Sequence, residues 1–428
     1  MTRFAHVSIR PRRPAFASGE SVRTLVRRTL LAIYGIPIAL ALTLTAVDSY
    51  RRRGKKPKPF PTSSPDEVTI GGGTVTTYTF GQNLYDDMLA AIGEARHQIL
   101  FETYIWKGDP VGERFKRALS EAAGRGVEVY AIYDGFANLV VSPLFKRFGP
   151  RLRVMEFPIY NAGWRVLDLR RYGRDHRKIL VVDDEVGFVG GYNVGSPYAT
   201  EWRDTHVRVT GPSVVDLKRA FADFWNLHRR PRHGGRPLLL ETKADWEPRI
   251  RVHRNVPRLW MFPIRSMYLE AINRAYHHIY LTSAYFIPDS DFVDTITAAA
   301  RRGVDVRLLV PATSNHVVAD WLSRGYYGEL LASGVRIFRF QGAMVHAKTA
   351  TIDGRWSTVG TANIDRLSMT GNYEINLEFI DPSMAEQMER IFDTDLSNSV
   401  ELTATSWASR GIHKKFTETV LAPLRPFL

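Results

Sequence analysis

The segment HRKILVVDDEVGFVGGYN at residues 176–193 returns, without a gap, as HAKTATIDGRWSTVGTAN at residues 346–363. Upstream the similarity is weaker but continues, because AIGEARHQILFETYIW, starting at Ala91, resembles AINRAYHHIYLTSAYF, starting at Ala271. Self-similarity of this kind is typical of a duplicated structural unit. The sequence therefore predicts two copies of one fold.

Both copies alternate apolar strands with helices. In the first copy, Leu84, Met88 and Ile92 recur at helical spacing, and apolar runs follow before an Arg-Gly turn leads into the next strand. This alternation is typical of a layered α/β unit whose sheet is covered by helices. We predict two pseudo-symmetric units, each a mixed sheet flanked by helices, at residues 67–235 and 236–428. Neither motif copy has a partner within its own unit, so we expect the copies to meet at the interface and form one active site.

The repeated polar residues suit phosphoryl chemistry. Each copy contains His-x-Lys-x4-Asp, followed by an Asn and then by a carboxylate. Two imidazoles around one electrophile can act as nucleophile and general acid. Ammonium and amide groups can bind the non-bridging oxygens of a phosphate, and a carboxylate can fix the tautomer of an imidazole. The set therefore suffices for phosphodiester exchange and requires neither a metal ion nor another cofactor. The candidate residues are His176, Lys178, Asp183, Asn193 and Asp204 in the first copy and His346, Lys348, Asp353, Asn363 and Glu374 in the second.

Other polar residues have structural interpretations. Asp183 and Asp353 follow apolar strand residues, and we expect them to form mainly hydrogen bonds that stabilise the site. We expect His206 to be a hydrogen-bonding core residue and His316 to lie at the surface or at a helix end. Arginines just before the first motif are candidates for steering anionic headgroups. They are Arg165, Arg170, Arg171, Arg174 and Arg177.

The chain resembles the phospholipase D superfamily. The duplicated His-Lys-Asp motif of that superfamily matches residues 176–183 and 346–353, and the similarity extends over residues 67–428. Within the superfamily, the chain is similar to bacterial cardiolipin synthases in the segments LFETYIWKGDPVG, from Leu100, and GNYEINLEF, from Gly371.

This resemblance implies a two-step transfer through a phosphatidyl-histidine intermediate. His176 would be the nucleophile, and His346 would be the general acid and base. The two asparagines of the repeat would bind the phosphate, while Asp204 and Glu374 would orient the histidines.

One position departs from the superfamily pattern. Many relatives carry a hydroxyl two residues before the phosphate-binding Asn. Thr361 keeps that hydroxyl in the second copy, whereas Gly191 replaces it in the first. We therefore expect Thr361 to bind the substrate and the phosphate contacts of the two copies to differ.

Residues 29–47 contain no charge and are flanked by basic residues on both sides. A helix of this length reaches ~28 Å, close to the thickness of the hydrocarbon core of a bilayer. Residues 1–66 are therefore predicted to be a basic N-terminus, one retained membrane anchor and, from residue 51, a solvated linker. A cleaved export signal is the alternative. The basic residues on the two sides balance, so the orientation of the catalytic units stays open.

The 428 residues carry a net charge of +14 and contain no cysteine. The lack of cysteine excludes disulfides, thiol catalysis and Cys-ligated metal. Residues 1–60 hold thirteen basic and two acidic residues, a net +11, which leaves only +3 for the other 368 residues. A near-neutral catalytic body argues against nucleic acid as a partner, and a basic segment that brackets an apolar one favours a membrane.

We therefore predict a phosphatidyltransferase at the bacterial inner membrane. It would form cardiolipin from two molecules of the anionic phospholipid phosphatidylglycerol and release glycerol. The alternatives are hydrolysis through the same covalent step, as in a phospholipase D, and a nuclease. A non-catalytic membrane scaffold is a third class, but both histidines and both lysines of the motif are present.

Overall fold

The computed structural model describes residues 19–54, 58–160, 168, 171–230, 236–240 and 247–427. The basic segment 1–18 lies outside this set, and so do residues 231–235 at the predicted boundary between the units.

The strands in the described residues are as follows. They are β1 (Asp66–Ile70), β2 (Gly73–Tyr78), β3 (Gln98–Thr103), β4 (Glu128–Asp134), β5 (Leu152–Phe157), β6 (Ile179–Val182), β7 (Val186–Gly190), β8 (Trp202–Arg203), β9 (His206–Thr210), β10 (Ile250–Asn255), β11 (His278–Ser283), β12 (Phe286–Ile287), β13 (Asp305–Pro311), β14 (Arg336–Phe340), β15 (Met344–Val345), β16 (Lys348–Ile352), β17 (Trp356–Gly360), β18 (Ile364–Asp365), β19 (Glu374–Phe379) and β20 (Ser399–Leu402).

The α-helices in the same residues are α1 (Gly19–Leu30), α2 (Ile36–Arg52), α3 (Gly81–Glu94), α4 (Pro110–Gly124), α5 (Ser196–Thr200), α6 (Val214–His228), α7 (Pro263–Asn273), α8 (Ser290–Arg301), α9 (Val317–Ala332), α10 (Arg366–Thr370), α11 (Pro382–Ser397), α12 (Ala404–Ala408) and α13 (Ile412–Leu421). A π-helical turn, Leu31–Gly35, joins α1 to α2, and 3₁₀ turns occupy Pro257–Leu259 and Ala422–Phe427.

The strands form two eight-stranded sheets that share seven equivalent strands and differ in the eighth, which is β1 at one edge of the first sheet and β20 at the opposite edge of the second. The first has the order β1-β2-β9-β7-β6-β3-β4-β5 and the second the order β10-β19-β17-β16-β11-β13-β14-β20. The neighbours β3-β4-β5 and β11-β13-β14 are parallel. The remaining pairs within the two sheets are antiparallel. The prediction of two equivalent α/β units, each with a mixed sheet, is confirmed.

The motif histidines lie just before the central strands β6 and β16. All four residues of β6, ILVV, are buried, and both α3 and α6 contact the strand. A continuous apolar run is what a strand covered on both faces requires. Because β6 begins at Ile179, His176 and Lys178 lie in the approach to the strand and not within it.

Short backbone segments of the two units pair with each other at their interface. β8 of the first unit pairs in parallel with β15 of the second, and the His346 amide then donates to the Arg203 carbonyl at 2.6 Å. On the other side, the His176 amide donates to the Tyr373 carbonyl at 3.0 Å. Arg203 and Tyr373 each immediately precede the carboxylate residue of the repeat. Each motif histidine is therefore held beside the carboxylate of the opposite unit.

A common hydrophobic core joins the units. One buried cluster contains Val189 and Val207 from the first sheet together with Val359, Ile375 and Leu377 from the second. Helix α6 of the first unit contacts β10, and α11 of the second contacts β1. The units therefore pack as one body around the site.

The linker after the candidate anchor differs from its prediction. The Lys58 amide donates to the Gly342 carbonyl at 3.1 Å, and the Phe60 ring lies 6.3 Å from the rings of both Phe80 and Phe340. The described part of the linker therefore packs across the two units, because the Phe60 ring is more stable in contact with other aromatic side chains than in solvent. The prediction of a freely solvated linker was wrong for this part.

An N-terminal helix is long and apolar enough to cross a membrane by length and composition. It runs from Thr24 to Arg52 and has a mean hydropathy of 2.2 over its most apolar window. Its second half, α2, contacts α9 and α13 of the second unit. The predicted apolar segment, residues 29–47, lies within this helix.

Candidate active site

Two histidines, one from each unit, line a single pocket of about 360 Å³. The Nδ1 atom of His176 lies 3.0 Å from both carboxylate oxygens of Glu374. The Nδ1 atom of His346 lies 2.6 Å from Oδ2 of Asp204. Both carboxylates are buried. Each histidine is thus bonded to a carboxylate of the other unit, an arrangement that spacing along the chain does not reveal.

The carboxylate contacts prepare the imidazoles for nucleophilic and acid–base chemistry. A carboxylate that accepts Nδ1–H leaves Nε2 unprotonated and basic. Burial, together with the neighbouring Lys178, lowers the pKa of His176 well below its ordinary value. Burial and Lys348 lower the pKa of His346 to about 3. These shifts favour the neutral form of both rings, whereas the negative charge of a phosphodiester bound between them would favour protonation of one.

The two carboxylates are electrostatically different. Burial opposes ionisation of Asp204, but Lys348 and His346 outweigh it and lower the pKa of the carboxyl. Burial raises the pKa of Glu374 to about 8, although Lys178 opposes that rise. Burial therefore opposes the ionisation of Glu374 more strongly than that of Asp204.

The two motif lysines lie behind the histidines. Each ammonium donates to the carbonyl of the histidine two residues earlier, Lys178 to His176 and Lys348 to His346. Burial lowers the pKa of Lys178 to about 7 and that of Lys348 to about 8. Both side chains are buried, and neither residue lines the pocket.

The two repeated asparagines line the pocket on opposite sides. The Oδ1 atom of Asn193 accepts a hydrogen bond from the Ile105 amide at 3.1 Å, which leaves its NH₂ group to donate elsewhere. The Oδ1 atom of Asn363 is buried and has no hydrogen-bond partner among the described residues. Amide donors are therefore available from both units.

The motif aspartates do not reach the pocket. The Asp183 carboxylate accepts from three successive backbone amides, of Arg96, His97 and Gln98, at 2.7 to 2.8 Å. Asp353 binds the corresponding amides of residues 276–278 at 2.8 to 2.9 Å. Both aspartates follow the far ends of β6 and β16 and tie them to the starts of β3 and β11. The inclusion of Asp183 and Asp353 among the candidate catalytic residues is therefore corrected. The structural role that was also predicted for the two carboxylates agrees with this geometry.

Thr361 supports a carboxylate and does not line the pocket. Its fully buried hydroxyl donates to Oε2 of Glu374 and accepts from the Ile375 amide at 3.0 Å. At Gly191, the equivalent position, an added Cβ would lie 2.0 Å from Oδ1 of Asp204. The Asp204 carboxylate occupies the space that a side chain would need. The prediction that Thr361 contacts the substrate was wrong. The difference between Thr361 and Gly191 instead changes the surroundings of the two orienting carboxylates, Glu374 and Asp204.

Two further expectations are corrected. Arg177 is buried and pairs with Glu102 and with Asp175, so it cannot steer headgroups at the surface. Both ring nitrogens of His206 are buried without a partner among the described residues, so the predicted hydrogen bonds are not formed there. Arg165 and Arg170 lie outside the described residues.

Several residues that line the pocket were not predicted to do so from the sequence. The Tyr104 ring lies edge-on to His176 at 4.7 Å, and the Trp202 ring lies against His346 at 5.1 Å. His316 and Asp365 also line the pocket, and burial raises the pKa of Asp365 to about 6. Tyr285, which packs on His346 at 6.1 Å, completes the aromatic lining around that ring. A search for repeated polar residues could not find His316 or Asp365, because neither is duplicated in the first copy.

Comparisons with known proteins agree with this geometry. A family described as cardiolipin synthase, PLD-like domain, matches residues 88–225 and 268–396. A cardiolipin synthase of Staphylococcus aureus (strain Mu50) is 34% identical over 364 residues, which cover 82% of this chain and 73% of the relative. A cardiolipin synthase of Listeria monocytogenes serotype 4b (strain F2365) is 32% identical over 368 residues, which cover 83% of this chain and 75% of the relative.

Solved structures share the fold at low identity. The phosphatidylserine synthase of Haemophilus influenzae Rd KW20 has a TM-score of 0.61 at 13% identity, covering 85% of this chain and 95% of that chain. The polyphosphate kinase of Porphyromonas gingivalis has a TM-score of 0.52 at 13% identity, covering 87% and 57%. From the duplicated motif, the paired sheets and these matches we conclude that the chain belongs to the cardiolipin synthase family of phospholipase D-like proteins.

Proposed function

We propose that this protein is a membrane-associated phosphatidyltransferase that joins two phosphatidylglycerols into cardiolipin and releases glycerol. The observation that carries the proposal is the crossed pair of histidines, each bonded to a carboxylate of the other unit, on one pocket. The names of the similar proteins support the choice of substrate and product.

In the first step, Nε2 of one histidine attacks the phosphorus of the first phosphatidylglycerol. A P–N bond forms and the bond from phosphorus to the headgroup oxygen breaks. The other histidine, which takes up a proton at Nε2 when the anionic phosphodiester binds, donates that proton to the departing glycerol. Following the superfamily resemblance, we assign the attack to His176 and the proton transfer to His346.

In the second step, the terminal hydroxyl of the second phosphatidylglycerol attacks the same phosphorus. His346 accepts the hydroxyl proton, the P–N bond breaks, and His176 is regenerated as cardiolipin forms. The asparagine amides would bind the non-bridging oxygens, and the positive charge of the lysines behind the histidines would stabilise the negative charge on the phosphate in both steps. No metal ion or other cofactor takes part in this scheme.

The fate of the intermediate decides between transfer and hydrolysis. Apolar side chains line much of the pocket, among them Ile105, Ile287, Val318, Ala319 and Leu367. Such a lining limits the access of water and favours a lipid alcohol as the acceptor. Hydrolysis to phosphatidic acid is the second candidate function, since it uses the same residues.

We propose that the N-terminal helix is a single retained anchor in the bacterial inner membrane. Its length, its hydropathy and the basic residues on both sides support this location. The phospholipid substrates require the catalytic body to lie at the membrane surface.

Purified full-length protein in phosphatidylglycerol vesicles tests the function. We expect one glycerol to be released for each cardiolipin formed, and no turnover by the His176→Ala variant. Release of glycerol with phosphatidic acid as the lipid product would instead assign the protein to the hydrolases. A sustained rate in His176→Ala would place the chemistry elsewhere.

A further inference from the structure

The loop after β4 carries an exposed apolar surface, which we call the apolar rim. It consists of Phe136, Leu139, Val140 and Leu144, whose side chains are 52%, 56%, 96% and 69% exposed. Contiguous exposed apolar side chains mark interaction surfaces in soluble proteins and membrane-associated ones alike.

The apolar rim is held next to the catalytic pocket. The Asn138 side chain accepts from the Trp106 amide at 2.8 Å and donates to the Tyr104 carbonyl at 2.8 Å. Tyr104 lines the pocket and packs against the ring of His176. Leu139 and Val140 directly follow Asn138, so the rim adjoins the wall of the pocket that Tyr104 forms, although none of the four rim side chains lines the pocket itself.

The second unit carries the equivalent loop on the other side of the pocket. Asn138 lies four residues after the end of β4, and Asn315 lies four residues after the end of β13. The sequences that follow are alike, NLVV in the first unit and NHVV in the second. His316 and Val318 of the second loop line the pocket.

The two equivalent loops differ in what covers them. In the second unit, the buried side chains Ala319 and Leu322, which follow the loop, pack with Leu40, Ala41 and Leu44 of the candidate membrane helix. In the first unit the corresponding residues are Ser142 and the buried Phe145, but Leu139, Val140 and Leu144 around them are exposed. The loop of the second unit is thus followed by a segment in contact with a helix suited to a bilayer, whereas the loop of the first unit presents its apolar side chains to the surface.

The charge around the apolar rim fits an anionic membrane. Residues 135–155 contain Lys146, Arg147, Arg151 and Arg153. Lys146 pairs with Glu156 and Arg153 with Glu128, so the charges of these two are compensated. Arg147 and Arg151 are exposed. A surface that combines exposed apolar side chains with basic ones binds the interface of bilayers that contain anionic lipids.

We propose that the apolar rim docks on the lipid bilayer, so that the catalytic pocket opens onto the membrane between the rim and the N-terminal helix. The substrate then reaches the histidines from the plane of the bilayer without first entering water. This inference rests on the proposed membrane attachment, and its test separates the two.

The lack of native cysteine allows single fluorescent labels to be placed without background. We would attach an environment-sensitive probe to Val140→Cys in the rim, Leu42→Cys in the N-terminal helix and Tyr276→Cys. Leu42 is 67% exposed, and Tyr276, 82% exposed, lies at the end of β11 opposite the pocket. The full-length variants would be reconstituted in phosphatidylglycerol vesicles.

We expect the probes at positions 42 and 140 to emit at shorter wavelength and to be quenched by spin-labelled lipids. The probe at position 276 should remain water-like and be quenched by aqueous iodide. A water-like probe at 140 beside a lipid-quenched probe at 42 would overturn the docking and leave the anchor intact. A water-like probe at 42 would overturn the attachment itself.

A second copy of the protein is the competing occupant of the rim. It would give a blue-shifted probe at 140 that lipid quenchers do not reach and that depends on protein density in the vesicle, and this result would also overturn the proposal. As an independent check, Arg147→Glu with Arg151→Glu should reduce lipid quenching at position 140 while quenching at 42 is retained.

Discussion

The imidazole of His176 and the carboxylate of Glu374 belong to different repeat units, yet Nδ1 lies 3.0 Å from both carboxylate oxygens. Asp204 and His346 form the reciprocal contact at 2.6 Å. Neither unit alone contains a histidine with its orienting carboxylate. The site therefore forms only where the two repeat units meet, and catalysis requires an intact interface between them.

Replacing Glu374 with Gln should lower kcat for cardiolipin formation about a hundredfold or more, because the Gln amide can donate to Nδ1 as well as accept from it and so no longer fixes the tautomer of His176, while the shape of the site is kept. Glu378→Gln is the matched control. Glu378 lies on the same strand and binds His253 at 2.8 Å, but outside the pocket. Equal loss of kcat in both variants at unchanged melting temperature would contradict the assigned role of Glu374.

Substitution of Asp183 by Asn should affect stability more than chemistry. The carboxylate caps three backbone amides away from the pocket, and weakening such bonds costs roughly 1–3 kcal/mol. We expect a lower melting temperature, with kcat per folded molecule within about twofold of the parent. A large fall in kcat without loss of stability would show that the motif aspartate takes part in the reaction.

The buried ion pair between Arg203 and Asp395 joins the units at 2.8 Å. Arg203→Met should destabilise the protein by about 3–5 kcal/mol, since it leaves a buried carboxylate without its partner. The double variant Arg203→Met with Asp395→Leu should recover most of that loss. Denaturant unfolding of the three proteins measures both effects, and a double variant no more stable than Arg203→Met would refute this explanation.

Gly191 should tolerate no side chain. A Cβ would come 2.0 Å from Oδ1 of Asp204, so Gly191→Ala must displace the carboxylate that orients His346. We expect kcat to fall by at least about tenfold, which corresponds to roughly 1.4 kcal/mol of transition-state stabilisation. Gly93→Ala, where nothing lies within 4 Å of the added Cβ, serves as the control and should retain full activity. Full activity in Gly191→Ala would show that Asp204 is not needed where it lies.

The pH dependence of kcat/KM should reflect the buried lysines. Burial lowers their pKa to about 7 for Lys178 and about 8 for Lys348, so the ammonium charge is present below this range and is lost as pH rises through it. We expect kcat/KM to fall from pH 7 towards pH 9. In Lys348→Arg the guanidinium stays charged, so the alkaline fall should begin at higher pH or become shallower, and an unchanged profile would exclude Lys348 as its source.

The sequence was sufficient to predict the duplicated α/β units and the pocket histidines, because the repeat places identical chemistry at equal positions. It could not predict that Glu374 orients His176, since these two residues are 198 positions apart in the chain and meet only at the interface between the units. The role of Thr361 escaped for the same reason. Its hydroxyl points to a carboxylate brought near by β19, and local sequence carries no information about that contact.

Charged residues were the other source of error. Arg177 belongs to a cluster of arginines and seemed suited to the surface, but Glu102 and Asp175 enclose it in the core. Burial of a charge depends on a partner elsewhere in the chain, and Glu102 lies 75 residues away. By contrast, the structural role of Asp183 was predicted from its position after an apolar strand, although its partners, the backbone amides of residues 96–98, were not.

The most direct test of the account is to locate the covalent intermediate. Full-length protein would be mixed with phosphatidylglycerol labelled at phosphorus, quenched within one turnover at alkaline pH, and digested for peptide mapping. The account predicts a labelled peptide that contains His176, with glycerol released in an amount equal to the enzyme. Label on His346 would reverse the two roles. Cardiolipin formation with no labelled histidine at any time would contradict the mechanism.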